Sequence, residues 1–157
     1  KRGHIIIKCN SLTEPKLIQA LYRASQAGVE CDLIIRGMCC LRPGLPGISE
    51  NIRVRSVIGR FLEHTRVFHF HNDGKPEIWG SSADFMARNM FHRVETCFPL
   101  LDKKLAARVR KDLETYLVDN CQSWLLQADG TYIKQDPGEA APISAQETLL
   151  YAYAARA

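Results

Sequence analysis

Short apolar runs alternate with polar segments at the start of the chain, in the order strand, helix, strand. His4–Lys8 (HIIIK) is rich in β-branched residues, which favours a buried strand. A helix is predicted next, because apolar residues recur on one helical face at Leu17, Leu21 and Ala24. Val29–Arg36 (VECDLIIR) is a second apolar run. This order predicts two parallel strands, joined by a helix, within an α/β sheet.

The middle of the chain combines irregular stretches with short alternating segments. Arg36–Asn51 has two Pro-Gly steps and little periodicity, so it is predicted as a loop at the carboxyl end of a strand, where α/β sheets usually bind ligands. Val57–Glu63 is predicted as a short helix in which Phe61 and Leu62 are buried. Further strands are predicted at Ile52–Ser56, Arg66–Phe70, Pro76–Gly80 and Arg93–Leu100.

The last third of the chain is predicted to contain two helices and a long loop. Asp102 is placed as the N-cap of a long helix. Its predicted core-facing stripe has four-residue spacing and consists of Leu105, Val109, Leu113 and Leu117. Ser144 and Glu147 form a capping-box pattern before the last helix, and a short strand is predicted at Thr131–Lys134. We expect a single domain over 1–157, with a core of about 4–124 and a C-terminal loop and helix over 125–157.

Composition indicates a globular domain, and we expect the chain to be a segment of a longer one. The 157 residues are 46% hydrophobic and 24% charged, with a net charge of +4, and the first residue is Lys1 rather than Met. No apolar run reaches the roughly 18 residues of a membrane span, and no signal peptide is evident. Six cysteines without zinc-type spacing favour free thiols and a cytoplasmic location, with peripheral membrane association left open.

Three segments next to predicted strands are rich in groups suited to phosphate. The forked guanidinium of arginine matches a phosphate group, and histidine transfers protons or attacks phosphorus near neutral pH. The residues concerned are Arg36 and Arg42; Arg60, His64 and Arg66; and Ser81, Ser82, Asp84, Arg88, Asn89, Arg93 and Glu95. We expect them to form a site only if the three segments converge in space.

Each of these residues also has a purely structural interpretation. A strand-end arginine is more often solvated or ion-paired, a lone histidine is more often structural, and SSAD is compatible with a helix cap. The other histidines, His4, His69, His71 and His92, are assigned to structural or surface positions. The chain has neither a GxxxxGK[ST] loop nor a GxGxxG motif, and no metal-ligand spacing. The aromatic residues fall mostly on core-like positions, which weakens a nucleic-acid interpretation.

Several long motifs in order resemble one family. IIRGMCCLRPGLPGISENIRVRSVIGRFLEHTRVFHF, then IWGSSADFMARNMFHRVE, closely resemble the C-terminal catalytic domain of bacterial polyphosphate kinase. The resemblance runs from about Ile5, through KCNSLTEPKLIQALYRASQAGVECDLIIRG, to the helix that begins at Asp102. It implies a phospholipase D-like α/β fold with a mixed, largely parallel sheet flanked by helices. It also implies reversible transfer of the terminal phosphate of ATP to polyphosphate, with ADP as the other nucleotide.

The same resemblance divides the active site between two domains. The phosphorylated histidine, the Mg²⁺ site and the adenine-stacking residue are implied to lie in the preceding catalytic domain, outside this segment. This domain is expected to supply Arg36 and His64 as catalytic, phosphate-contacting residues. Ser82, Asp84, Asn89 and Arg66 are expected nearby as supporting or phosphate-side groups. The full enzyme is expected to be a homo-oligomer without a membrane span or specific nucleic acid, and the isolated domain to be inactive.

Two other functions remain open at this point. One is a phospholipase D-like phosphodiesterase or nuclease, whose signature has the form HxKxxxxD. The chain departs from that signature, since Arg66 stands at the lysine position after His64 and His71 stands at the aspartate position. The other is a non-catalytic module that binds polyanions with strong salt dependence.

Overall fold

A computed structural model describes residues 3–155 and shows a single mixed sheet with helices on both faces. The strands are β1 (His4–Cys9), β2 (Glu30–Ile35), β3 (Ile52–Val57), β4 (Val67–Phe70), β5 (Glu77–Ser81), β6 (Cys97–Pro99), β7 (Ser123–Leu126) and β8 (Tyr132–Lys134). The helices are α1 (Pro15–Gln26), α2 (Ala87–Phe91), α3 (Lys103–Val118) and α4 (Ala145–Ala154), with a 3₁₀ turn at Asn72–Gly74 between β4 and β5.

The strand order across the sheet is β6-β5-β4-β1-β2-β3-β7-β8. Only β1–β2 and β2–β3 pair in parallel, and the other five pairings are antiparallel. The α/β class is therefore confirmed, but the expectation of a largely parallel sheet is wrong. Parallel neighbours need a long crossover, such as the one that contains α1, whereas the short turn between β4 and β5 permits only antiparallel pairing.

The two faces of the sheet carry separate apolar clusters. On β1, Ile7 points to one face and packs in the cluster that contains Leu21 of α1. Its neighbour Ile6 points to the other face and packs in the cluster that contains Leu113 of α3. This alternation follows from the two-residue period of a strand. Helix α4 packs against α3 and so lies on the same side of the sheet.

The predicted helix at Val57–Glu63 is wrong. Val57 ends β3, and residues 58–66 have no regular secondary structure. Phe61 and Leu62, predicted to be buried, are 45% and 74% exposed. A short helix needs an apolar face packed on the core, and these side chains face away from it. We call residues 58–66 the His64 segment.

Other predicted elements are confirmed with shifted ends. Asp102 caps α3 by accepting hydrogen bonds from the backbone N–H groups of Lys104 and Leu105. The stripe predicted on α3 is buried at its centre, Leu113, but not at Leu105. Strand β7 was not predicted, and β6 is much shorter than predicted. Within residues 3–155 no helix is long and apolar enough to cross a membrane, and the six cysteines are free thiols.

Candidate functional site

The carboxyl ends of β1 and β2 lie at the same edge of the sheet as the start of β4 and the end of β5. This follows from the register, in which Lys8 of β1 pairs with Val67 of β4, and Val67 pairs with Gly80 of β5. Arg36 follows β2 directly, and Arg66 precedes β4 directly. The three phosphate-competent segments therefore meet at one edge of the sheet.

The loops that follow β1, β2 and β5 lie side by side at this edge. The Leu12 N–H donates to the Met38 carbonyl at 2.9 Å, which ties the β1 loop to the β2 loop. The Phe85 N–H donates to the Ser11 carbonyl at 3.0 Å, which ties the β1 loop to the β5 loop. Backbone hydrogen bonds thus fix the positions of these loops.

A relay of hydrogen bonds connects the loop of Arg36 to His64. The Gly37 N–H donates to the Asn10 carbonyl at 2.8 Å, and the Asn10 N–H donates to Asp84 Oδ1 at 2.7 Å. Asp84 in turn accepts from Arg66, Nε to Oδ1 at 3.1 Å and Nη2 to Oδ2 at 3.0 Å. Arg66 Nη1 then donates to the carbonyl of His64 at 3.2 Å.

Asp84 is held in its ionised form. Burial opposes its ionisation, but the hydrogen bonds from Arg66 and from the Asn10 N–H, with the Arg66 charge, lower the pKa of Asp84 below its ordinary value. Both partners of the Arg66–Asp84 pair are largely buried. The charge of Arg66 is therefore neutralised by Asp84, and the pair serves to orient its neighbours.

His64 is exposed and lies against Arg66. The His64 Nε2 atom lies 3.4 Å from Arg66 Nη2. A guanidinium has only donors, so Nε2 is the acceptor in this contact, and a neutral His64 carries its proton on Nδ1. Nδ1–H is then the donor that remains for a ligand.

Arg36 has a fixed backbone and an uncommitted side chain. Its N–H donates to the Cys9 carbonyl at 3.2 Å, and its carbonyl accepts from Ser56 Oγ at 2.9 Å. Among residues 3–155 its guanidinium has no hydrogen-bonded or ion-paired partner. Arg36 therefore presents a full positive charge at this edge.

Ser82 and Asn89 both donate hydrogen bonds to the carboxylate of Glu95. Ser82 Oγ donates to Glu95 Oε2, and Asn89 Nδ2 donates to Glu95 Oε1 at 2.6 Å. These hydrogen bonds, from Ser82 first, lower the pKa of Glu95. Ser82 Oγ also accepts from the Thr96 N–H at 3.0 Å. Sequence reasoning included Glu95 in the cluster but did not identify it as the group that holds Ser82 and Asn89.

A sizeable cavity of the domain lies away from the predicted residues. A cavity of about 850 Å³ lies between α3 and the β4–β5 hairpin, lined by His69, Lys103 and Arg110 among others, and none of the predicted site residues borders it. Within residues 3–155, no group of three or more His, Cys, Asp or Glu side chains is placed to hold a metal ion. The acidic groups at the edge, Asp84 and Glu95, are already bonded to protein donors.

The model of the family described as polyphosphate kinase C-terminal domain 2 matches residues 1–146. The chain belongs to this family. Polyphosphate kinase of Pseudomonas aeruginosa is 61% identical over 154 residues, which cover 98% of this chain and 22% of that protein. Polyphosphate kinase 1 of Chlorobaculum tepidum is 53% identical over 150 residues, covering 94% and 21%. The chain thus spans about a fifth of the length of these relatives.

Solved structures confirm the expected fold. The crystal structure of polyphosphate kinase from Porphyromonas gingivalis superposes with a TM-score of 0.95 at 41% identity, over 99% of this chain and 24% of that one. Nuc from Salmonella typhimurium, a phospholipase D family member, gives a TM-score of 0.54 at 19% identity, over 71% and 75% of the two chains. The second likeness shows a shared phospholipase D-like fold.

Proposed function

We propose that this domain contributes phosphate contacts to the reversible transfer of the terminal phosphate of ATP to polyphosphate, as part of a full-length polyphosphate kinase. The observation that carries the proposal is the hydrogen-bonded relay that brings the Arg36 loop and His64 to one edge of the sheet. Similarity to proteins named polyphosphate kinase along 98% of the chain supports it.

Arg36 is the residue proposed to stabilise charge on the transferring phosphoryl group. Phosphoryl transfer depends mainly on positioning and on electrostatic stabilisation of the phosphate oxygens. A guanidinium without an internal partner donates two parallel hydrogen bonds to such oxygens. Arg66 is less suited to this contact because its charge is neutralised by Asp84.

His64 is proposed to donate a hydrogen bond from Nδ1 to a phosphate oxygen. Arg66 fixes the backbone of His64 and occupies the neighbourhood of Nε2. Asp84 fixes Arg66 in turn. Ser82 and Asn89 are assigned a lesser role, since their donors already bind Glu95.

The remaining parts of the reaction are assigned to the preceding domain of the same enzyme. Following what the family resemblance implies, we place the phosphorylated histidine and the Mg²⁺ site there. The acidic groups at this edge, which already bind protein donors, are compatible with that placement. An exposed His64 and an Arg36 guanidinium without a partner among residues 3–155 suit a site completed by a second domain. A homo-oligomeric enzyme acting in the cytoplasm is part of the same proposal.

The phosphodiesterase alternative is disfavoured by the Arg66–Asp84 pair. The residue at the lysine position of the HxK pattern is committed to a buried carboxylate, so its charge is not available to a diester. The likeness to Nuc concerns the fold.

The test uses the full-length protein that contains this domain. Arg36→Ala and His64→Ala are expected to lower ATP-dependent polyphosphate synthesis on the order of 100-fold, with an unchanged unfolding midpoint. Arg23→Ala, which removes an exposed charge from α1, is the matched control and should retain full turnover. Near-normal turnover in both site variants would overturn the proposal.

A second measurement separates the alternatives. Residues 1–157 alone should give no ATP-dependent synthesis, and clear synthesis by this fragment would refute a site shared between two domains. Hydrolysis of bis(p-nitrophenyl) phosphate by the fragment, abolished by His64→Ala, would instead establish a phosphodiesterase. Salt-sensitive binding of polyphosphate, with full-length turnover unaffected by the site variants, would establish a binding module.

A further inference from the structure

The His64 segment is an irregular stretch whose backbone is held by side chains from distant elements. Residues 58–66 lack regular secondary structure, and Glu63 is the one buried residue among them. An irregular segment has no ladder of hydrogen bonds to fix its position, so other groups must satisfy its buried polar atoms. Gln146 of α4 and Lys8 of β1 are such groups.

Gln146 binds both the backbone N–H and the backbone carbonyl of Phe61. The Phe61 N–H donates to Gln146 Oε1 at 2.9 Å, and Gln146 Nε2 donates to the Phe61 carbonyl at 2.8 Å. One side-chain amide therefore supplies the donor and the acceptor that a neighbouring strand would supply in a sheet. Gln146 is itself buried, so its position is fixed by packing.

Glu63 connects the segment to three other elements. Its Oε2 lies 2.8 Å from Lys8 Nζ, and both side chains are almost completely buried. Its Oε1 accepts from Gln146 Nε2 at 2.8 Å and from the Tyr116 hydroxyl of α3 at 3.3 Å. The segment is thus bonded to β1, α3 and α4 one residue before His64.

Gly59 shows how closely the segment approaches α4. A Cβ atom at Gly59 would lie 2.5 Å from Gln146 Oε1 and closer still to Gln122 Oε1. Because Gln146 is held by three hydrogen bonds, moving its side chain away from such a Cβ atom would break contacts to Phe61 or Glu63. Only glycine fits at this position while Gln146 stays in place.

We propose that Gln146 and Glu63 are positioning residues for His64, so that α4 takes part in the reaction without touching the substrate. Glu63 anchors the segment on one side of His64, and the Arg66–Asp84 pair anchors it on the other. An exposed imidazole between two anchored residues keeps its place although the backbone around it is irregular. The proposal rests on the phosphate-contacting role proposed for His64.

The first experiment compares Gln146→Ala with Thr148→Ala in the full-length protein. Thr148 is exposed on the same helix, so its variant controls for changes to α4 itself. Gln146→Ala is expected to lower kcat for polyphosphate synthesis on the order of tenfold, because small displacements of a positioned group have large kinetic effects. Hydrogen exchange of the amides in residues 58–66 should be faster in this variant and unchanged in Thr148→Ala. Faster exchange with unchanged kcat would overturn the proposal.

Gln146→Glu provides a sharper version of the same test. The new carboxylate keeps the acceptor for the Phe61 N–H but loses the donor to the Phe61 carbonyl and to Glu63. It also places a second negative charge beside Glu63, so we expect a loss at least as large as that of Gln146→Ala. Activity above that of the alanine variant would contradict the proposed arrangement.

A double-mutant cycle separates this proposal from the role of His64. If His64→Ala alone leaves turnover unchanged, the proposed function fails. Suppose that His64→Ala lowers turnover and that adding Gln146→Ala lowers it again by the same factor as Gln146→Ala alone. Gln146 then acts independently of His64, and the positioning proposal fails. We expect little further loss. Gly59→Ala leaves Gln146 and Glu63 chemically intact and should lower kcat in the same way as Gln146→Ala. It provides the test if the Gln146 variants fold poorly.

Discussion

Arg66 and Asp84 form a two-point ion pair that joins the start of β4 to the loop after β5. The guanidinium donates to both carboxylate oxygens, at 3.1 Å and 3.0 Å, and Asp84 Oδ1 also accepts from the Asn10 N–H. The pair spans 18 residues of sequence and lies directly beside His64. It links the stability of this edge of the sheet to the position of the candidate catalytic residue.

Asp84→Asn is expected to lower both stability and turnover. The neutral amide leaves the guanidinium of Arg66 largely buried without its counter-charge, which costs about 3 kcal/mol of unfolding free energy. Urea denaturation followed by circular dichroism measures this loss. Asp73→Asn is the control, since Asp73 is exposed and its positive φ suits asparagine. Equal stability of the two variants would show that the pair contributes little.

Ser82→Ala is expected to reduce polyphosphate synthesis by less than about tenfold, well below the effect expected for Arg36→Ala. The hydroxyl of Ser82 donates its single proton to Glu95 and accepts from the Thr96 N–H, so it has no donor free for a phosphate oxygen. The two variants, Ser82→Ala and Arg36→Ala, are compared by their steady-state turnover at saturating ATP. A loss as large as that of Arg36→Ala would mean that Ser82 leaves Glu95 to contact the substrate.

The buried His69 is expected to make the stability of the domain sensitive to acid. Burial and the charges of Arg110, His4 and His71 lower the pKa of His69 from 6.5 to about 4. In the unfolded chain this histidine is therefore protonated below about pH 6.5. In the folded chain it is protonated only below about pH 4. The unfolding free energy should fall across this window as the pH drops, by at most about 3 kcal/mol.

The variant His69→Gln tests this assignment. It should lose most of the pH dependence between 6.5 and 4 in urea denaturation, because the titrating group is gone. His92→Gln, at an exposed position, should keep the dependence. The assignment is wrong if both variants show the same slope as the unmodified protein.

Leu113 and Leu105 lie on the same predicted stripe of α3 but differ in burial, at 2% and 52% exposed. Leu113→Ala should cost about 3 kcal/mol of unfolding free energy, since it leaves a cavity in the cluster between α3 and the sheet. Leu105→Ala should change stability by less than about 0.5 kcal/mol. Comparable losses in the two variants would contradict the observed placement of α3.

Local sequence patterns predicted much of the fold because they depend on neighbouring residues. β-Branched runs indicated β1 and β2, and Asp102 indicated the start of α3. Whether Arg36, His64 and Ser82 share one edge could not be predicted from these patterns, because it depends on which strands pair and in which direction. The pairing register of the structure brings the three segments together.

Features that depend on distant residues were not predictable in this way. Val57–Glu63 has the composition of a short helix, but Gln146 and Lys8 bind residues 58–63 in an irregular form. The antiparallel majority of the sheet depends on which strands pair, and no local pattern encodes that choice. The role of Glu63 could not be predicted from its place next to His64, because its partners come from three separate elements.

The hydrogen bonds between Phe61 and Gln146 bridge 85 residues of sequence. Contacts between residues so far apart in sequence form late in folding, because closing the long intervening loop costs conformational entropy. During synthesis, His64 emerges from the ribosome well before the residue that fixes its neighbour. The domain is therefore expected to form its sheet first and to gain an ordered His64 segment only when α4 docks.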